Sequence, residues 1–111
     1  MAKKKVFLSL PMRGRTDEEI KADVKKMTSK LHADEEAVDN FITAPEDAGR
    51  LYCLGEAIKK LGDCDMIMLH PDWCKANGCI IEYYTARHYG IKIIQLYTTI
   101  GGRFIRRAES K

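Results

Sequence analysis

The sequence predicts an α/β domain: a three-layer arrangement in which a parallel sheet of four to five strands carries helices on both faces. Three observations lead there. Short apolar runs alternate with longer amphipathic stretches in the order βαβαβαβ, the pattern of parallel strands joined by crossover helices. Gly62 and Gly90 stand just past two of the helical stretches, where C-caps are expected. The middle of the chain reads as strand, loop, helix, strand. Met66 to Leu69 ends abruptly at His70-Pro71-Asp72-Trp73, Gly78 follows in a turn, a helical pattern runs to Tyr89, and a second apolar run follows Gly90.

The first strand is Val6 to Leu10, which follows three lysines and stops at Pro11, where the chain loses a donor. A helix starts at Thr16, because Thr16 and Glu19 have capping-box spacing and Asp17, Glu18 and Glu19 crowd the first turn. Ile20, Val24, Met27 and Leu31 form its apolar stripe. The segment from Asp34 to Asn40 is acidic and loosely patterned, and the second strand is expected at Phe41-Ile42-Thr43. Leu51, Leu54, Ile58 and Leu61 mark a helix from Asp47 or Ala48 to Lys60. In the next helix, Ile80, Ile81, Tyr84 and His88 offer the apolar or aromatic face. Ile91 to Tyr97 is the last strand, Thr98 to Gly102 a turn, and the tail from about 103 is expected to be flexible because it has only Phe104 and Ile105 to bury.

A chain of 111 residues is one domain, 1–111, and its 45% hydrophobic and 32% charged content is that of a soluble globular protein. No apolar run approaches the roughly 20 residues of a membrane span, and Val6 to Leu10 is too short for a signal peptide, so a cytoplasmic protein is expected. Cys53, Cys64, Cys74 and Cys79 fit no paired zinc pattern; reduced, structural thiols, no metal and no cofactor are expected. The net charge of +3 gathers at Lys3 to Lys5 and at Arg103, Arg106 and Arg107 without interleaved aromatic residues, a weak case for nucleic acid. The expected anion is small.

Two constellations could carry chemistry. In Pro11-Met12-Arg13-Gly14-Arg15-Thr16, backbone N–H groups, a helix dipole and two guanidinium groups can converge on an anion; the alternative is an ordinary basic loop. The second is Glu82 with Asp65, His70, Asp72 and Trp73. If Met66 to Leu69 ends at the carboxyl edge of the sheet, His70, Asp72 and Trp73 line a crevice that Glu82 enters from the following helix. Glu82 is then a nucleophile or a general base; otherwise it is a solvated helix carboxylate. The alternative for Asp65 is that it begins the strand, away from the site.

The loop Phe7-Leu8-Ser9-Leu10-Pro11-Met12-Arg13-Gly14-Arg15, the Cys64-Asp65 strand opening that ends near Trp73, and Gly78-x-x-x-Glu82-x-x-x-Ala86 before Gly90 together resemble the nucleoside 2-deoxyribosyltransferase-like family, which includes deoxynucleoside 5′-monophosphate N-glycosidases. The resemblance covers almost the whole chain. It implies a flavodoxin-like sheet of order near 2-1-3-4, a nucleotide or nucleoside as the small-molecule partner, and homo-oligomers. It matches Glu82 to the family's glutamate nucleophile, which attacks the anomeric carbon as in retaining glycosidases. Phe7, Ser9, Met12, Arg13, Gly14, Arg15, His70, Asp72, Trp73, Asn77 and Gly78 are the implied substrate-binding set. Two positions depart from the pattern. Phe7 stands where active members commonly carry tyrosine, and Ala76 where they carry an acid. The expected function is therefore cleavage or transfer at an N-glycosidic bond of a (deoxy)nucleoside 5′-monophosphate, the alternative being a catalytically weak nucleotide-binding or sensing module.

Overall fold

The computed structural model describes residues 2–38 and 48–108. In chain order these form β1 (Lys4–Ser9), α1 (Asp17–Thr28), β2 (Glu35–Ala37), α2 (Arg50–Gly62), β3 (Met66–Leu69), a 3-10 turn (Trp73–Lys75), α3 (Asn77–His88), β4 (Lys92–Thr98) and β5 (Phe104–Ala108). The sheet order is β2-β1-β3-β4-β5. Phe7 lies opposite Ile67, and Ile67 opposite Ile93, in parallel pairings, whereas β5 runs antiparallel to β4 with Tyr97 opposite Ile105.

Alternation along the strands divides the core. Val6 and Leu8 of β1 and Met66 and Met68 of β3 point to α1, where they meet Ile20, Val24 and Met27. Phe7, Ile67, Leu69 and Ile93 point the other way, to Ala57 and Leu61 of α2 and Ala86 of α3. Strands covered on both faces read as near-continuous apolar runs, as β1 and β3 do. No helix among the described residues is long and apolar enough to cross a membrane.

The expected all-parallel, flavodoxin-like sheet is corrected here. The sheet is mixed and curled into a half-barrel, with an antiparallel fifth strand at its edge. Two residues explain the curl. Arg106 of β5 donates from Nη1 and Nη2 to Glu35 of β2 at 2.5 and 2.8 Å, and from Nη1 to the Lys30 carbonyl at 3.0 Å. β2 and β5 are opposite edges of the sheet, and four flat strand spacings would set them about 19 Å apart, beyond the joint reach of an arginine and a glutamate. The segment from 104 onward is therefore not a loose tail. Phe104 enters the α1-side core and Arg106 binds the far edge.

Other boundaries differ for local reasons. β2 lies in the acidic stretch, where Glu35 is buried by its arginine; the strand expected at Phe41-Ile42-Thr43 falls outside the described residues. Gly62 ends α2 inside the helix, with Asp63 as C-cap, and Gly90, at φ +77°, takes the left-handed position past α3. Helix α3 buries Cys79, Glu82 and Ala86, with Tyr83 packed beside them, and leaves Ile81 and Tyr84 exposed. Its apolar residues are spread around the helix, so periodicity alone does not mark the face that docks.

Candidate functional site

A cleft of about 580 Å³ opens at the carboxyl ends of β1 and β3, within the 300–1,000 Å³ typical of small-molecule sites. One wall is Phe7 and Leu10 with the loop Pro11 to Arg13; another is Gly49, Arg50, Cys53 and Ala57 of α2. The third is the start of α3: Lys75, Ala76, Asn77, Gly78, Cys79 and Glu82.

Among the described residues that line the cleft Glu82 is the only acid, and it is 92% removed from solvent. Strand alternation puts Ser9 on the same face as Phe7, and helical spacing puts Glu82 three residues from Cys79 on the buried stripe of α3. The Ser9 hydroxyl therefore donates to Glu82 Oε1 at 2.7 Å. Burial pushes the Glu82 carboxyl up to about 7, against the opposing effect of the Ser9 hydrogen bond. Near neutral pH the group divides between acid and carboxylate, which suits it to exchange a proton or attack a carbon. Its neighbour Cys79 is a different case: burial pushes that thiol up to about 11, so it stays protonated and inert. Of Glu82 and Cys79, the carboxylate is the available nucleophile.

Replacing Ser9 by alanine removes the one donor that lowers the Glu82 pKa, so the carboxyl is expected to titrate above its present value of about 7. Carbon-detected NMR titration of the Glu82 carboxyl checks this; an unchanged midpoint would mean that solvent supplies an equivalent donor.

The loop after β1 is shared between two tasks. Gly14, at φ +76°, closes a turn in which the Arg15 amide donates to the Met12 carbonyl at 3.2 Å. Met12 and Arg13 line the cleft, and Arg13 is exposed with no ion pair among the described residues. Gly14 and Arg15 do not line it; Arg15 turns back to bind Asp23 at 2.7 Å and the Pro11 carbonyl at 2.8 Å. The start of α1 is closed by its own capping box, with Glu19 accepting from the Thr16 amide. The open helix starts are those of α2 and α3. Neither Gly49 nor Ala76 caps with a side chain, neither first turn is acidic, and both face the cleft beside Arg13, Arg50 and Lys75. A helix start with a basic residue and no acid, as at Gly49-Arg50, is the signal that sequence reasoning passed over.

His70, Asp72 and Trp73 are not among the residues lining the cleft. Counting outward along β3 from Met66 and Met68 puts His70 on the α1 side. There its ring meets Phe104 edge-on at 5.5 Å and its Nε2 lies 2.7 Å from Asp23 Oδ2. Trp73 packs on Tyr83 with ring centroids 4.5 Å apart, and Asp72 pairs with Lys75 at 3.4 Å. Asp65 lies just before β3, at the opposite end of the strand from the cleft, accepting from the Lys5 amide. Asn77 and Gly78 lie in the cleft wall as described. The four cysteines are free thiols. One cluster of possible metal ligands, His32, Asp34 and Glu35, exists among the described residues, but its buried carboxylate is held by Arg106.

A family model described as a domain of unknown function, DUF4406, matches residues 4–95. The chain belongs to that family. No curated protein and no solved structure matches it. The matched span of this DUF4406 chain contains all the cleft-lining residues, including Ser9's partner Glu82, and ends within β4, before β5 begins.

Proposed function

We propose that the cleft binds a (deoxy)nucleoside 5′-monophosphate and that Glu82 cleaves or transfers at its N-glycosidic bond. The observation that carries this reading is the buried Ser9–Glu82 pair in a small-molecule cleft whose other charged lining residues, among those described, are basic. The likeness of the Pro-Met-Arg-Gly loop and of Gly78-x-x-x-Glu82 to the nucleoside 2-deoxyribosyltransferase-like proteins supplies the substrate class. In the reaction, a Glu82 oxygen bonds to C1′ as the C1′–N bond breaks, and the electron pair leaves with the base, which takes up a proton from solvent. Water, or an acceptor base, then attacks C1′ and releases the carboxylate. Phe7 has no hydroxyl to orient the glutamate, but the Ser9 hydroxyl, two residues along the same face of β1, stands in that role.

The second reading is a nucleotide-binding module with weak catalysis, favoured by Phe7 and by Ala76 in the cleft wall. One experiment separates the two: incubation with a panel of nucleosides and nucleoside 5′-monophosphates, following free base by chromatography and the melting temperature. Base release supports the enzyme, stabilisation without release supports the binder, and neither effect overturns both.

Arg13 is expected to account for a preference for monophosphates. Arg13→Ala should weaken their binding by about 1.5–3 kcal/mol, the range for a hydrogen bond to a charged group, and leave nucleoside binding nearly unchanged. Calorimetric titration checks it; equal losses for both ligand types would remove the phosphate role.

A further inference from the structure

We infer that Asp23, on α1 and outside the cleft, is a positioning residue that fixes two of the cleft's walls from behind the sheet; that this fixing serves ligand binding rests on the function proposed above. A single carboxylate oxygen, Asp23 Oδ2, receives Arg15 Nη2 at 2.7 Å and His70 Nε2 at 2.7 Å. Each donor leads to a different wall. Arg15 holds the Pro11 carbonyl from Nη1 at 2.8 Å, and Pro11 to Arg13 line the cleft. His70 accepts the Asp72 amide on Nδ1 at 2.9 Å, and the turn that Asp72 opens delivers Lys75 and Ala76 to the cleft. Because Nδ1 accepts, Nε2 carries the proton and donates to Asp23, so each hydrogen bond along Pro11–Arg15–Asp23–His70–Asp72 joins a donor to an acceptor.

The three side chains are 23% (Arg15), 16% (Asp23) and 6% (His70) exposed, so this is not a solvated surface pair. Burial raises the Asp23 carboxyl, but the hydrogen bonds from Arg15 and His70 outweigh it and hold the group below its ordinary range, so it is charged at neutral pH. Pairing with Asp23 also occupies Arg15, leaving Arg13 as the loop guanidinium with no ion pair among the described residues. The strut lies on the α1 side of the sheet, whereas Ser9 and Glu82 meet on the other side. Its loss therefore loosens the walls without touching the reacting pair.

The test uses the full chain with Asp23→Ala and the near-isosteric Asp23→Asn, which keeps an acceptor oxygen but not the charge. Hydrogen exchange of the Arg15 and Asp72 amides should quicken by about tenfold or more in Asp23→Ala, by less in Asp23→Asn, and not at all for β1 amides. With a deoxynucleoside 5′-monophosphate as probe, KM or Kd should rise about tenfold while kcat stays within about twofold, and Arg15→Ala added to Asp23→Ala should add little, since both act through one strut. Unchanged exchange at both amides overturns the inference. So does faster exchange with unchanged Kd in a protein that binds the probe, because the strut would then be structural only. A wild type that neither binds nor cleaves any monophosphate overturns the functional reading instead, and exchange alone then decides whether Asp23 fixes the walls.

Discussion

Replacing Glu82 by glutamine is expected to abolish base release and, at the same time, to stabilise the ligand-free protein at pH 8. The first effect follows from its proposed role: without a carboxylate no glycosyl ester forms, and kcat should fall by at least about 10³-fold, as for other nucleophile deletions. The second follows from burial. The Glu82 carboxyl titrates at about 7 in the folded chain and near 4.5 when unfolded. A raised folded value means that this group's contribution is intact below about pH 4.5 and is lost as pH rises through about 7. The difference of about 2.5 units corresponds to roughly 3 kcal/mol by pH 8. Glutamine is neutral at every pH and its amide oxygen accepts the Ser9 proton, so the variant escapes that loss. Urea titrations of wild type and Glu82→Gln at pH 5 and pH 8 should nearly coincide at the lower pH and separate at the higher. Separate outcomes are informative: retained turnover would remove Glu82 as nucleophile, and coincident curves at pH 8 would show that the carboxylate is solvated.

Breaking the Arg106–Glu35 pair should have the largest effect on stability. Glu35 is 6% exposed, accepts both guanidinium nitrogens and takes the His32 amide at 2.8 Å. The Arg106 hydrogen bonds, against the cost of burial, hold its carboxyl down at about 2. Arg106→Ala leaves that carboxylate buried without its counter-charge, a change that costs about 3–5 kcal/mol. The double variant Glu35→Leu/Arg106→Met removes both charges and should recover most of the loss. Because the folded value is depressed, the pair's contribution is present above about pH 4.5 and fades as pH falls through about 2. Denaturant titration of the three proteins at pH 7 measures this; an Arg106→Ala loss below about 1 kcal/mol would mean that the bridge does not hold the curl.

How much of this was legible in the residues varied with the kind of signal. The capping box at Thr16, the apolar stripe of α1 and the runs of β1 and β3 rest on local periodicity, which the chain displays openly. Glu82 was legible as an acid at the start of a helix, and Ser9 as its partner only by following alternation from Phe7 along β1. The same count from Met66 would have sent His70 to the α1 side, away from the cleft. Nothing local marked the docking face of α3, whose apolar residues surround it, or the role of Arg106, whose partner lies on the opposite edge of the sheet. A buried ion pair between remote residues leaves no period in either segment, so Glu35 read only as part of an acidic, loosely patterned stretch and β5 as a tail.

The distance between those partners also has a bearing on how the protein is made. Arg106 follows Glu35 by 71 residues. At about 5–20 residues per second on the ribosome, roughly 4–14 seconds separate the appearance of the carboxylate from that of the guanidinium that neutralises it. Until Arg106 has been made, the Glu35 carboxylate lacks the guanidinium it is buried against in the folded chain. The curled shape thus waits for β5, a strand that lies beyond the segment shared with its family.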